Sequence, residues 1–211
     1  MAGRFGWMAA VAAVFVVALG AAAQQPFTDT RDGKVYKTVT IGGKRWFAEN
    51  LNYAAKGSKC GGIGDKPEYC KKYGRLYDWE TAVKACPAGW RLATIDDWGA
   101  LMNYVGEEET GKKLKSTSGW GDVGKKNGNG TDNYGFAALP GGCAGGDDKS
   151  KCFSSFYGEI GNVIGGYGWW WSASESWPHA LYLTMTYSSE DVSRSINAKS
   201  TLMSVRCVCE E

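Results

Sequence analysis

Tyr77-Asp78-Trp79-Glu80-Thr81-Ala82-Val83-Lys84-Ala85-Cys86-Pro87 and, a short way on, Thr94-Ile95-Asp96-Asp97-Trp98-Gly99-Ala100-Leu101-Met102-Asn103-Tyr104-Val105-Gly106 read as two successive helices. In the first, Trp79, Ala82, Val83 and Cys86 fall at i, i+3, i+4 and i+7, one apolar face of a helix over residues 77–86, and Pro87 ends it. In the second, Thr94 and Asp97 stand at capping-box spacing ahead of Trp98, Leu101, Met102 and Val105, and Gly106 is placed to cap the C-terminus. Aromatic residues on such stripes belong to the core. The link between the helices, residues 89–93, is extended.

Before these helices, Val35, Val39 and Ile41 alternate with Lys and Thr, break at Gly42-Gly43 and resume at 44–47, which predicts a hairpin over residues 34–47. Residues 54–74, rich in Gly and Lys, read as a loop stapled by Cys60 and Cys70. Glu107, Glu108 and Glu109 opposite Lys112 and Lys113 read as a charged helix face with i,i+4 pairing. Residues 116–166 hold turn clusters and most of the glycine. Strands return at 169–173, 180–187, 195–199 and 202–209, at hairpin spacing, so the sheet should be antiparallel. Two early helices and a late meander define an α+β fold with long glycine-rich loops.

The chain has 211 residues, of which 24 are basic and 22 acidic, so no electrostatic footprint for a phosphate backbone exists and nucleic acid is not an expected partner. Its single histidine, His179, excludes a site built from two imidazoles and is assigned no role. Residues 1–23 read as a cleaved signal peptide: Arg4, an apolar run over 5–19, then Ala21-Ala22-Ala23. That run is shorter than the ~20 residues a spanning helix needs, and an uncleaved anchor is the alternative. Residues 24–211 form a single domain with no stable membrane span, expected to be secreted or at the cell surface, with the periplasm as the alternative.

In an oxidising compartment the seven cysteines are read first as disulfides. Cys86 closes the buried stripe of the first helix, and Cys207 points with the apolar set of the last strand, so a Cys86–Cys207 bond would staple helix to sheet. Cys60 with Cys70 and Cys143 with Cys152 close short loops, which leaves Cys209 as the free thiol. Cys86–Cys209 with Cys207 free is the competitor, since spacing cannot choose between two residues on one strand face.

The order F-T-D-T-R-D-G-K-V-Y-K-T-V-T-I-G, W-F-A-E-N-L-N-Y, Y-G-R-L-Y-D-W-E-T-A, C-P-A-G-W-R-L-A-T-I-D-D-W, L-K-S, D-N-Y-G-F-A-A-L-P-G-G, W-W-S-A-S-E and S-V-R-C resembles the Fibrobacter succinogenes major paralogous domain, from Phe27 to Cys209. That resemblance implies a surface or secreted bacterial protein and no established molecular activity. More distantly, A-x-x-x-C, then G-W-R-L-A-T-I-D-D-W, then V-R-C is similar to the C-type lectin-like fold, where a cysteine on the first helix pairs with one in the last strand. This second resemblance implies architecture, not function.

Export, disulfide density and an aromatic surplus point to a non-catalytic surface or secreted module that binds a polysaccharide or a partner protein, as in adhesion. Trp120, Tyr134, Tyr167, Trp169 and Trp177, in or beside glycine-rich segments, are the candidate ligand-stacking residues. Trp120 and Trp177 are the two expected to be exposed, and the Trp169–Trp171 run is expected to contribute to a core strand. Calcium-dependent lectins of that fold carry E-P-N or Q-P-D and W-N-D tripeptides, which are absent, so that form of sugar site is not carried over. Asp132, Asn133, Asp147 and Asp148 read as turn formers, and no metal or cofactor is expected. The alternative is an enzyme related to the formylglycine-generating oxidases; the paired cysteines of their copper site have no match, because no cysteine lies between Cys152 and Cys207.

Overall fold

Gly42 and Gly43 adopt φ values of 62° and 77°, the left-handed pair that a two-residue hairpin turn needs. They join β1 (Thr38–Ile41) to β2 (Lys44–Phe47), the first four-residue ladder of the computed structural model. The structure describes residues 25–61, 65–124, 126–145, 159–160 and 163–211. The expected signal peptide, Cys152, Asp147 and Asp148 lie outside the described residues.

The remaining main elements follow in chain order: α1 (Pro67–Tyr73), α2 (Trp79–Ala85), β3 (Arg91–Leu92), α3 (Ile95–Val105), α4 (Thr110–Leu114), β4 (Tyr167–Ser176), β5 (His179–Thr186), β6 (Ser193–Ala198) and β7 (Cys207–Glu210). Two antiparallel sheets organise them, one in the order β1-β2-β7-β3 and one in the order β4-β5-β6. Helices and mostly antiparallel strands make the chain α+β, as its element pattern predicts. The helix boundaries have local causes. Asp78 caps α2 by accepting the Thr81 amide, and Thr94 and Asp97 form the full capping box of α3.

Three elements depart from the sequence reading. The supposed loop over 54–74 contains α1, started by Pro67 at its first turn and closed at Gly74, and a two-residue ladder between Lys59–Cys60 and Arg75–Leu76. Val35–Tyr36 pairs with Phe27–Thr28 and not within the hairpin, because the ladder of β1 begins only at Thr38. Glu109 sits at φ 53°, outside any helix, just before α4; its partner Lys112 is three residues on at 2.9 Å, and Lys112 also meets Glu190 at 3.6 Å.

The last strand is shorter than its alternating pattern suggests, because residues 202–206 run as a seam between the two halves of the protein. Met203 exchanges backbone hydrogen bonds with Tyr77, Ser204 bonds to Trp169 and Trp171, and Leu51 donates to Val205. Both faces of this seam are buried. Val205 and Cys207 enter one apolar cluster with Phe47, Tyr77, Trp79 and Trp171, while Val208 enters a second with Trp46, Trp98, Phe136 and Trp170. Trp170 and Trp171 therefore both vanish from solvent, on opposite sides of one strand, while Trp169 stays half-buried.

Arg206 lies in this seam with no exposed surface. Its guanidinium donates to Asn50 Oδ1 at 2.8 Å and to the carbonyls of Phe47, Phe136 and Ala137 at 2.8, 2.7 and 3.0 Å. Asn50 Oδ1 also accepts from the Trp170 indole at 2.8 Å, and Asn50 Nδ2 donates to the Tyr73 carbonyl at 2.8 Å. Burial pulls the Arg206 pKa down to about 9, against weaker opposing fields from Glu49 and Asp132, so the group is still a cation at neutral pH.

A second cluster locks α3 onto the first sheet. Asp97, almost wholly buried, accepts from Lys44 at 2.7 Å and from both terminal guanidinium nitrogens of Arg91, Nη1 and Nη2, and Glu210 accepts from the same two cations at 2.9 and 3.1 Å. Burial would raise the Asp97 pKa, but the Arg91, Lys44 and Thr94 hydrogen bonds outweigh it and hold the carboxyl far below its ordinary value.

Arg206→Met, which takes the guanidinium away from three buried carbonyls and leaves Asn50 Oδ1 only the Trp170 indole, should cost at least ~3 kcal/mol or prevent folding, measured by urea unfolding. Asp97 binds a proton more weakly in the folded than in the unfolded chain. Its contribution is therefore complete above the ordinary carboxylate pKa of 3.8 and is lost as pH falls below it. Thermal melts should show the melting temperature of the wild type dropping below about pH 4, with a shallower drop in Asp97→Asn.

Candidate functional site

Among the tryptophans of the described residues, Trp177 stands apart. Trp46, Trp79, Trp98, Trp120, Trp170 and Trp171 are buried, whereas Trp177 is 85% exposed. It occupies, with Pro178, the two-residue tip between β4 and β5, just past the Ser176–His179 pair. The stem below the tip is held sideways. His179 also pairs with Ala198 on β6, and the next residue, Lys199, bonds back to Glu175 on β4 at 2.7 Å. Lys199 lies over the Trp79 ring at 4.1 Å and faces Glu80 at 3.8 Å, so an exposed indole projects from a braced hairpin end.

Beside that end opens a cleft of about 520 Å³. Gly57 and Lys59 form one side, Asp78 and Glu80 from the start of α2 another, and Lys199 and Leu202 a third. The volume is in the range of small-ligand sites, and the charged side chains among the described lining residues balance in sign. Nothing in the sequence flags these residues as a group, because they come from segments joined by the Lys59–Cys60/Arg75–Leu76 ladder, by the Trp79 amide to the Lys199 carbonyl and by the seam at 202–206.

The stacking candidates are scattered and not gathered into one surface. Trp120, expected at the surface, is 5% exposed, and its indole donates to the Ala138 carbonyl at 2.9 Å beneath the Lys115 ammonium. The correction has a steric cause. The glycines around it mark close backbone packing and not open loops: a Cβ on Gly128 would lie 2.0 Å from the Gly121 oxygen, and one on Gly130 would lie 2.2 Å from that of Lys115. Tyr134 is half-buried edge-on to Tyr104, Tyr167 is half-buried edge-on to Tyr187, and Trp169 stacks on Tyr182 at 5.3 Å. Tyr167 and Trp169 share one face of β4, at the far end of the strand from Trp177.

The cysteines fall largely as expected. Cys60 is bonded to Cys70 and Cys86 to Cys207, which decides between the two partners open to Cys86, and Cys209 is free. Cys143 is disulfide-bonded, while its expected partner Cys152 lies outside the described residues. Burial raises the Cys209 thiol pKa, with Arg45 pulling the other way, so the group is held as a thiol at neutral pH and is a poor nucleophile. Asp132 accepts the Ala137 amide at 2.8 Å, the turn role expected of it. Among the described residues no group of three or more His, Cys, Asp or Glu side chains could hold a metal, and no helix is long and apolar enough to cross a membrane.

The fold and its staples define a class, a disulfide-braced α+β module with one exposed aromatic tip and a charge-balanced cleft. A family model, the Fibrobacter succinogenes major domain, matches residues 39–209, and the chain belongs to that family. No curated protein and no solved structure gives a significant match to the chain.

Alkylation of the native protein should label Cys209 and leave Cys60, Cys70, Cys86, Cys143 and Cys207 untouched in peptide maps. Its rate should still be climbing above about pH 9 and should not level off near the ordinary thiol pKa of ~8.5. Label on Cys86 or Cys207 would remove the helix-to-sheet staple.

Proposed function

We propose that the protein is an exported, non-catalytic surface or secreted module of C-type lectin-like architecture that binds a polysaccharide, or failing that a partner protein, through the Trp177 end of the β4–β5 hairpin. The exposure of Trp177 carries this reading. An indole left 85% exposed gains nothing for the fold, and its hairpin is braced by Lys199 and Glu175, so the ring is pre-positioned for a flat apolar partner surface such as the face of a sugar ring. Export is supported by the disulfides, which persist in oxidising compartments. The lectin-like architecture is supported by the Cys86–Cys207 bond from the C-terminal cap of α2 to the last strand, and by the placing of the first hairpin and that strand in one sheet.

The full chain, with disulfides intact, is incubated with insoluble cellulose, xylan and chitin, and the retained fraction is measured. Retention on at least one, falling at least about ten-fold in Trp177→Ala while the melting temperature stays unchanged, is the expected result. No retention, or retention untouched by the substitution, would overturn the polysaccharide reading and leave a structural or protein-partner role.

A further inference from the structure

The cleft beside the Trp177 hairpin has a chemistry that narrows what could lie in it. Its charged groups come in opposite pairs, Lys59 and Lys199 against Asp78 and Glu80. Lys199 also pairs with Glu175 at 2.7 Å and lies over the Trp79 ring, contacts that fix its ammonium at the cleft wall. Asp78 uses Oδ1 to cap α2, accepting from the Thr81 amide at 2.7 Å, while Oδ2 faces the opening near Gly57. Glu80 is largely exposed and only loosely paired, and Lys59 is exposed. Hydrogen-bond acceptors and donors thus line the same opening, and among the described lining residues the two lysines match the two carboxylates in charge.

Such a lining disfavours the common charged ligands. An anion would meet Asp78 and Glu80, and a cation would meet Lys59 and Lys199, so neither is stabilised by the net field. A lipid or an apolar cofactor is disfavoured too, since Leu202 is the one large apolar side chain among the described lining residues. Vicinal hydroxyls, each able to donate and accept, match a wall that mixes carboxylates with an ammonium. The ring to stack on them is near. Ser176, His179 and Ala198 form one row across β4, β5 and β6, so the Trp177 tip lies about two strand spacings, roughly 10 Å, from Lys199 at the cleft edge.

We infer that the cleft is the ring-binding subsite of an uncharged oligosaccharide, with Lys59, Asp78 and Glu80 holding hydroxyls of one sugar and Trp177 stacking on the face of a neighbouring one. This rests on the glycan-binding reading of the Trp177 tip and adds to it the site and the class of sugar.

The test is calorimetric titration of the full, disulfide-intact chain with cellohexaose and xylohexaose as neutral probes, trigalacturonate as an anionic one and a chitosan hexamer as a cationic one. Lys59→Ala and Glu80→Gln are the variants, because both side chains lie outside the core. A neutral probe should bind, lose roughly three- to ten-fold in affinity in each variant, and change less than about two-fold between ~0.05 and ~0.5 M salt. Salt-sensitive preference for either charged probe would overturn the assignment to an uncharged sugar. Neutral binding that Trp177→Ala weakens and both cleft variants leave intact would overturn the cleft while the tip reading stands. Failure of every probe together with no retention on insoluble polysaccharide would bring down both, and failure of the probes alone would bring down only the subsite.

Discussion

Four backbone and side-chain oxygens converge on the Arg206 guanidinium in a place where water does not reach, and the rest of the fold is arranged around that convergence. Phe47 belongs to β2, Asn50 to the turn after it, and Phe136 and Ala137 to the glycine-rich middle of the chain. A buried cation without a contacting carboxylate is tolerable only when each of its donors finds an oxygen, so all three segments must be in place together. Asn50 extends the constraint to Trp170 and to the end of α1 through Tyr73. The two aromatic clusters on either side of the seam are thus held in register by polar groups, and apolar packing alone would leave that register less defined.

The parts of this fold legible in the sequence are those set by neighbours in the chain. The hairpin at Gly42-Gly43, the capping box of Thr94 and Asp97 and the stop at Pro87 each depend on a few adjacent residues, and each stands where the pattern puts it. Helix α1 is the instructive miss. Pro67 and Gly74 mark its two ends, yet lysines and a glycine-rich run before it mask a helix of only two turns. The alternation of Val205, Arg206, Cys207 and Val208 was legible as an extended segment but not as one buried on both faces, because nothing local announces that an arginine is covered.

The candidate site was legible only at Trp177, a tryptophan beside a proline at a strand end. Trp120, equally expected at the surface from its glycine neighbours, has the opposite fate, since those glycines permit backbone to lie against backbone. A glycine count cannot separate a turn that faces water from one pressed against its neighbour. The cleft was not legible at all, for Lys59, Asp78 and Lys199 come from distant parts of the chain.

The bond from Cys86 to Cys207 joins residues 121 positions apart, and β3, α3, α4 and the whole β4–β5–β6 sheet lie inside the ring it closes. A single backbone cut anywhere within that ring therefore releases no fragment. The two pieces stay covalently tied, with β2 still paired to β7 beside the join. Wherever a protease reaches it, one nick in an exposed loop inside that ring is survivable damage.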